Sequence, residues 1–395
     1  MRSGPVPSVT DRLLVGLSRL AVRPETRDEV LRWIRGPVSW GELVERAGRE
    51  GVSPLVYRSL RSIGGPVPED VLASLRKVYF ANEARNTRLF HRIHPLLEAT
   101  RAAGLRTVLT KGARLALTVY PEIGLRPFTD VDLVVHPGDW AALETALAGS
   151  GFAPEPGGRV RLHPRNRALD WTFSPYYRQG ELVIELHFTY LGLHMPFRSE
   201  ADFWASARSV SMNGAEALIT SPEYELCTLC LHAQQHSYGR LMWLTDIAEL
   251  APRPEIDRDK VARISHREGI GPVVRYGFEL VNSLWPGTIP SPFVCALGRG
   301  HLAAVLQPAF WPPAAVARRA DRTPLPYYTP TFFTLLSRRK PLTAARTLLR
   351  ILFPPMAWIA DSYNVAPGSP RAWLRYLRRL GAPFAWLLKK KEREA

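Results

Sequence analysis

The sequence predicts an α+β protein, with an α/β core of roughly 100 residues set between an N-terminal helical region and a mainly helical C-terminal region. Three observations predict it. From Pro68 to about Ala103 the chain runs in a helical pattern with few breakers. Between Leu105 and Phe188, short β-branched segments alternate with turn residues. Past about Glu200 helical patterns return. The expected divisions are 1–104, 105–200 and 201–395.

In the first region, Ser39-Trp40-Gly41-Glu42 fits a capping box, and Leu43, Ala47, Val52 and Leu55 continue an apolar stripe. Pro95 should kink or divide the long helix, and Gly104 is a stop signal. Leu105 to Leu109 reads as a strand running through Lys111-Gly112 into a helix, Ala113 to Tyr120. Val131 to Val135 is a second strand, ended by His136-Pro137-Gly138. Asp139 can cap a helix from Trp140 to Gly149. Ala168 to Phe173 and Leu182 to Phe188 are two further strands, joined through Tyr177-Arg178-Gln179-Gly180. Pro222 to Gly239 and Leu241 to Leu250 are helices, and frequent prolines from Pro286 onward break the rest into short helices and turns.

Composition removes several classes. Of 395 residues, 46% are hydrophobic and 22% charged, which is ordinary for a folded globular chain and excludes collagen and disordered tails. Three cysteines are too few for a disulfide framework and point to a reducing, cytoplasmic setting. MRSGPVPSVTDRLL lacks the apolar stretch of a signal peptide. The longest membrane candidate, Ile351 to Ala360, is about half the length a span needs. The net charge of +16 attracts polyanions. No arginine-rich arm with interleaved aromatics accompanies it, so nucleic acid is a partner the sequence allows but does not favour.

The chemistry centres on TDVDLVV. Side chains two apart on a strand share a face, so Asp130 and Asp132 project together. By the same rule Val183, Glu185 and His187 share a face of the later strand. If the two strands are neighbours, Asp130, Asp132 and Glu185 form one three-carboxylate cluster. Such a cluster suits Mg²⁺, with Mn²⁺ as the alternative, clamping the attacking and leaving oxygens of an in-line phosphoryl displacement. The bland alternative is two solvated aspartates near a turn and an edge-strand glutamate.

Around this cluster lie weaker signals. Lys111-Gly112 stands at a helix start, where free amides and a point charge can hold phosphate. Arg126 is a second phosphate candidate, or a partner of the aspartates, or a structural ion pair. His187 adjoins the cluster and can touch phosphate or orient Glu185. His232 and His236 share a helix face at metal-binding spacing without an evident third ligand, so cleft lining is the alternative. Asp246 can cap a helix or pair with a histidine or arginine. Cys227-x-x-Cys230 has no second pair and reads as core packing. No GxSxG, Walker or Rossmann motif occurs.

The string LTKGARLALTVYPEIGLRPFTDVDLVV resembles the core of the polymerase-β-type nucleotidyltransferases. It is most similar to the large bacterial branch with a Lys-Gly, an Arg upstream of Asp-x-Asp, and a later Glu-Leu-His. WGELVERAGREGVSPLVY, the block from His232 to His236 with RLMWLTDIAEL, and LFPPMAWIADSYN resemble other parts of that branch. The resemblance implies a small mixed sheet flanked by helices and metal-dependent transfer of a nucleoside monophosphate from an NTP to an acceptor. Asp130 and Asp132 match its metal-binding pair, and Glu185 its third carboxylate. One departure is Gly112-Ala113 in place of Gly-Ser or Gly-Gly, 18 residues before Asp130.

The resemblance thus implies an NTP donor, with a nucleotide-sugar as the alternative, and a peptide, sugar or small-molecule acceptor. Two alternatives stand beside it. The same site can transfer another phosphate-linked group, such as a phosphoryl group or a sugar. Or the fold is a binding module that recognises a peptide or nucleic acid with its basic surface.

Overall fold

The structure is a computed structural model that describes residues 7–155, 176–191, 198–212, 215–298, 300–318, 353, 356, 359–360 and 365–378. The chain enters through four helices, α1 (Val9–Leu17), α2 (Pro24–Ile34), α3 (Trp40–Arg49) and α4 (Ser53–Ile63). The capping box predicted at Ser39 is absent, because Glu42 accepts from Arg46 one turn later and from Thr10. A capping box forms instead at the start of α1, where Ser8 and Asp11 bond each other's amides at 2.8 and 3.1 Å.

Helix α5 (Glu69–Ala102) is one element of 34 residues. Pro95 lies inside it and does not divide it. A proline ring removes one backbone donor, and the packing of Ile93, Leu96 and Leu97 into a buried cluster holds the helix through that gap. Gly104 ends the helix as predicted. At φ +70° it donates to Arg101, while Leu105 donates to Thr100, the double closure that a left-handed residue allows.

Next come β1 (Thr107–Thr110), α6 (Lys111–Thr118), β2 (Val131–Val135), α7 (Trp140–Gly149), β3 (Ala153–Pro154), β4 (Tyr176–Gln179) and β5 (Leu182–His187). Asp139 precedes α7 but makes no side-chain cap. The segment read as a link through Tyr177 is itself a strand. It pairs with β5 antiparallel, Gln179 opposite Leu182, so the tight turn is Gly180-Glu181 with Gly180 at φ +59°. The strand predicted at Ala168 to Phe173 lies outside the described residues.

After α8 (Glu200–Ser206) the chain does not turn wholly helical. It forms a hairpin, β6 (Arg208–Met212) and β7 (Ala215–Ile219), and β7 joins the sheet parallel to β1. The sequence carries a signal for it in Asn213-Gly214, a dipeptide that favours two-residue hairpin turns, between alternating segments. The seven strands run in the order β3-β4-β5-β2-β1-β7-β6. The sheet is mixed: β2–β5 and β1–β7 are parallel, and the other pairs are antiparallel.

The remaining described helices are α9 (Pro222–Gln235), α10 (Leu241–Leu250), α11 (Arg258–Glu268), α12 (Gly271–Leu284), α13 (Ser291–Ala296), α14 (His301–Phe310) and α15 (Pro313–Arg318). No helix among the described residues is long and apolar enough to cross a membrane.

Strand periodicity sorts the sheet into two faces. Leu109, Val131, Leu133, Ile184 and Leu186 pack with α7 and the second half of α5. Thr110, Asp132, Glu185 and His187 therefore lie on the opposite face, beneath α9 and α10, where they line a cavity.

Candidate active site

Asp132 of β2 stands directly opposite Glu185 of β5 in parallel register. The side-chain donors of Asp132, Glu185 and His187 lie within 4.8 Å of one another. His187 Nε2 is 2.7 Å from Asp132 Oδ1 and 3.6 Å from Glu185 Oε2. The two strands expected to be neighbours are neighbours, but the third member of the group is His187, two residues beyond Glu185, in the place expected for Asp130. Asp130, just before β2, lines the same cavity. Burial, then the negative charges of Asp132 and Glu185, push its carboxyl up to about 6 against the pull of Lys111.

Lys111 supplies the counter-charge. Its Nζ donates to Asp132 Oδ1 at 2.7 Å and sits 3.2 Å from His187 Nε2. Burial works against the ammonium, yet Asp132 and Glu185 hold its pKa above the ordinary lysine range. Burial likewise opposes the charge on Asp132, but Lys111 and His187 keep that carboxyl below its ordinary range.

The backbone amide of Lys111, expected to be free for phosphate, is taken. Glu225 of α9 accepts it at 2.7 Å and also accepts from the hydroxyls of Thr110 and Thr220. Arg114 Nε lies 3.7 Å from the same fully buried carboxylate. Lys111 itself sits at φ +54°, a left-handed conformation uncommon for a residue with a Cβ. Gly112 is required by packing: a Cβ there would lie 2.6 Å from Phe128 Cβ.

Arg126 faces the cavity but is committed elsewhere. Its guanidinium grips Asp246 of α10 through Nε at 2.8 Å and Nη2 at 2.7 Å, and Tyr120 donates to the same carboxylate at 2.7 Å. Both charged groups are buried. Of the alternatives read from sequence, the ion pair is what forms, with Asp246 rather than with the Asp130–Asp132 segment.

The loop bearing Arg126 and Asp130 is strung along α5. Asn82 donates to the Gly124 carbonyl at 2.7 Å, and Asn86 to the carbonyls of Ile123 and Arg126 at 2.8 and 3.0 Å. Arg85 donates to the carbonyls of Phe128 and Thr129. Residues 82, 85 and 86 share a helix face, a spacing visible in the sequence though nothing there says what it holds. Glu225 and this clasp are the contributors that sequence reasoning missed.

The far wall of the cavity, whose volume is about 700 Å³, comes from α9 and α10. His232 and His236 have ring centroids 4.6 Å apart, and each lies about 5 Å from Trp243, at 5.1 and 5.0 Å. Burial, followed by the nearby Lys111 charge, holds both imidazoles below their ordinary pKa. Among the described residues, Asp132, Glu185 and His187 are the group of three metal-ligand side chains, so the histidine pair lines the cleft without a third ligand. Cys227 and Cys230 are buried in the core, where burial pushes the Cys227 thiol up to about 12.

A mixed sheet carrying paired carboxylates on neighbouring strands, roofed by helices, defines a nucleotidyltransferase-like protein. The family model described as uncharacterised nucleotidyltransferase matches residues 36–286, and the chain belongs to that family. The match begins after α2 and spans helices α3 to α5, the sheet and helices α9 to α12. A structural match is the crystal structure of an antigenic nucleotidyltransferase-like protein from Paracoccidioides brasiliensis, at 19% identity and a TM-score of 0.35, covering 54% of this chain and 95% of that one. No curated protein matches the chain in sequence.

Proposed function

We propose that this chain is a divalent-metal-dependent nucleotidyltransferase that moves a nucleoside monophosphate from an NTP to a peptide, sugar or small-molecule acceptor. The observation that carries this is the parallel register of Asp132 against Glu185, with His187 converging on the same point.

Asp130, Asp132 and Glu185 would hold Mg²⁺ or Mn²⁺. The residues fit such an ion, since hard oxygen donors and one imidazole converge, with Asp130 on the wall of the same cavity. When bound, the ion would supply charge stabilisation for the attacking and leaving oxygens of an in-line displacement. Lys111 meets the donor phosphates as a point charge. The hydrogen bond that its backbone amide donates to Glu225 and the close packing of Gly112 on Phe128 fix where that charge is presented. Arg126 braces the loop against α10 through Asp246. The wall of His232, His236 and Trp243 receives the flat or polar remainder of donor or acceptor.

The test is incubation of the full chain with labelled NTPs and a panel of acceptors, with mass spectrometry of product and retained metal. Asp132→Asn and Glu185→Gln should reduce label transfer to background while leaving the protein folded. Full transfer by either variant rejects the assignment.

A further inference from the structure

The ammonium of Lys111 occupies the place a cation would take. It lies 2.7 Å from Asp132 Oδ1 and 3.2 Å from His187 Nε2, two of the three donors that converge within 4.8 Å. The backbone beneath it is held in a left-handed conformation and clamped by Glu225, so the turn cannot simply retreat. What can move is the side chain, four methylenes long, whose polar partners Asp132 and His187 meet it at its tip. Of the guanidiniums lining the cavity, Arg126 is bound to Asp246 and Arg85 to the carbonyls of Phe128 and Thr129, while Arg240 lies over the Trp243 ring on the far wall.

A divalent ion at Asp132 and an ammonium at the same oxygen repel each other. That repulsion ends if the ammonium has an anion to go to. We propose that Lys111 is an exchangeable counter-ion: it neutralises Asp132 when no divalent ion is bound, and passes to the polyphosphate of the donor when ion and donor enter together. The proposal rests on the metal-site reading above. It makes the two ligands mutually dependent, because each removes an obstacle to the other. It also selects for donors that carry a polyphosphate over neutral donors, which offer the displaced ammonium no partner.

The experiment measures Mn²⁺ binding alone, by paramagnetic resonance of the free ion, and inorganic tripolyphosphate binding in chelator, by calorimetry. The native full chain is compared with Lys111→Met and Lys111→Gly. Glycine accepts a φ of +54° without strain, so the second variant removes the ammonium and eases the backbone at once. Both variants should bind Mn²⁺ at least about tenfold more tightly than the native chain, within the usual range of coupling between sites. Both should bind tripolyphosphate more weakly, and Lys111→Arg should stay close to native. Equal Mn²⁺ affinity in the native chain and both variants overturns the exchange while leaving the metal site standing. The two failures are told apart by adding Asp132→Asn to Lys111→Gly: unchanged Mn²⁺ binding there overturns the metal site itself, and the exchange with it.

Discussion

The carboxylate of Glu225 accepts the backbone amide of Lys111 at 2.7 Å, joining helix α9 to the strand–helix turn that carries the site's lysine. Donors from Thr110, Lys111 and Thr220 converge on its two oxygens, with Arg114 at 3.7 Å. Glu225→Gln keeps the shape but turns an NH₂ toward one of those donors. It should cost about 2–4 kcal/mol, as expected for a buried charged acceptor that loses its match. Urea denaturation measures this, and a loss under about 1 kcal/mol would mean that the turn is held by other contacts.

Arg126 and Asp246 should show strong coupling. Removing one partner leaves the other charge buried, so Arg126→Met is expected to cost about 3–5 kcal/mol. Replacing both, as Arg126→Met with Asp246→Leu, should recover part of that loss. A double-mutant cycle by chemical denaturation reads the coupling directly. Simple additivity would contradict the paired geometry.

Gly112→Ala should be costly although alanine favours helices. The new Cβ would meet Phe128 Cβ at 2.6 Å, and neither is the free end of a side chain. Overpacking of this kind costs about 1–3 kcal/mol. A thermal melt at or above the native midpoint would refute it.

Stability should fall on mild acidification through His232. Its imidazole has a folded pKa well below the ordinary 6.5, from burial first and then from the Lys111 charge. The unfolded chain therefore binds the extra proton more readily. The stabilisation is complete above pH 6.5 and is lost as pH falls below it. Melting midpoints between neutral and acidic pH should drop more steeply for the native chain than for His232→Gln. Parallel slopes would exclude His232 as the source.

Much of the site was legible because strand periodicity is strict. Asp132, Glu185 and His187 follow from counting by twos, and the apolar residues between them say which face is packed. What the count does not show is who faces the turn from another element. Glu225 in PEYELC looks like an acidic residue favoured in a first helical turn, and only the packing of α9 on β1 and α6 reveals its bond to Lys111. Arg126 reads equally well as a phosphate ligand or as an ion pair until Asp246, 120 residues later, is placed beside it. The hairpin β6–β7 is obscured because its strands are short and carry Glu216 on β7 and Arg208, Ser209 and Ser211 on β6, the outer edge of the sheet. The long helix was read correctly in extent and wrongly at Pro95, since local breaking propensity yields to packing on both sides of it.

Helix α5 packs Val71, Leu75 and Tyr79 into the N-terminal cluster and Leu89, Phe90 and Ile93 into the cluster behind the sheet. Asn82, Arg85 and Asn86 lie between those two stretches and hold the Asp130 loop. One inserted residue between Tyr79 and Asn82 would rotate everything downstream by about 100°. The angular phase of this rod, more than any single contact along it, sets where the acidic residues of the loop are aimed, so its length is far less free to drift than that of a surface helix.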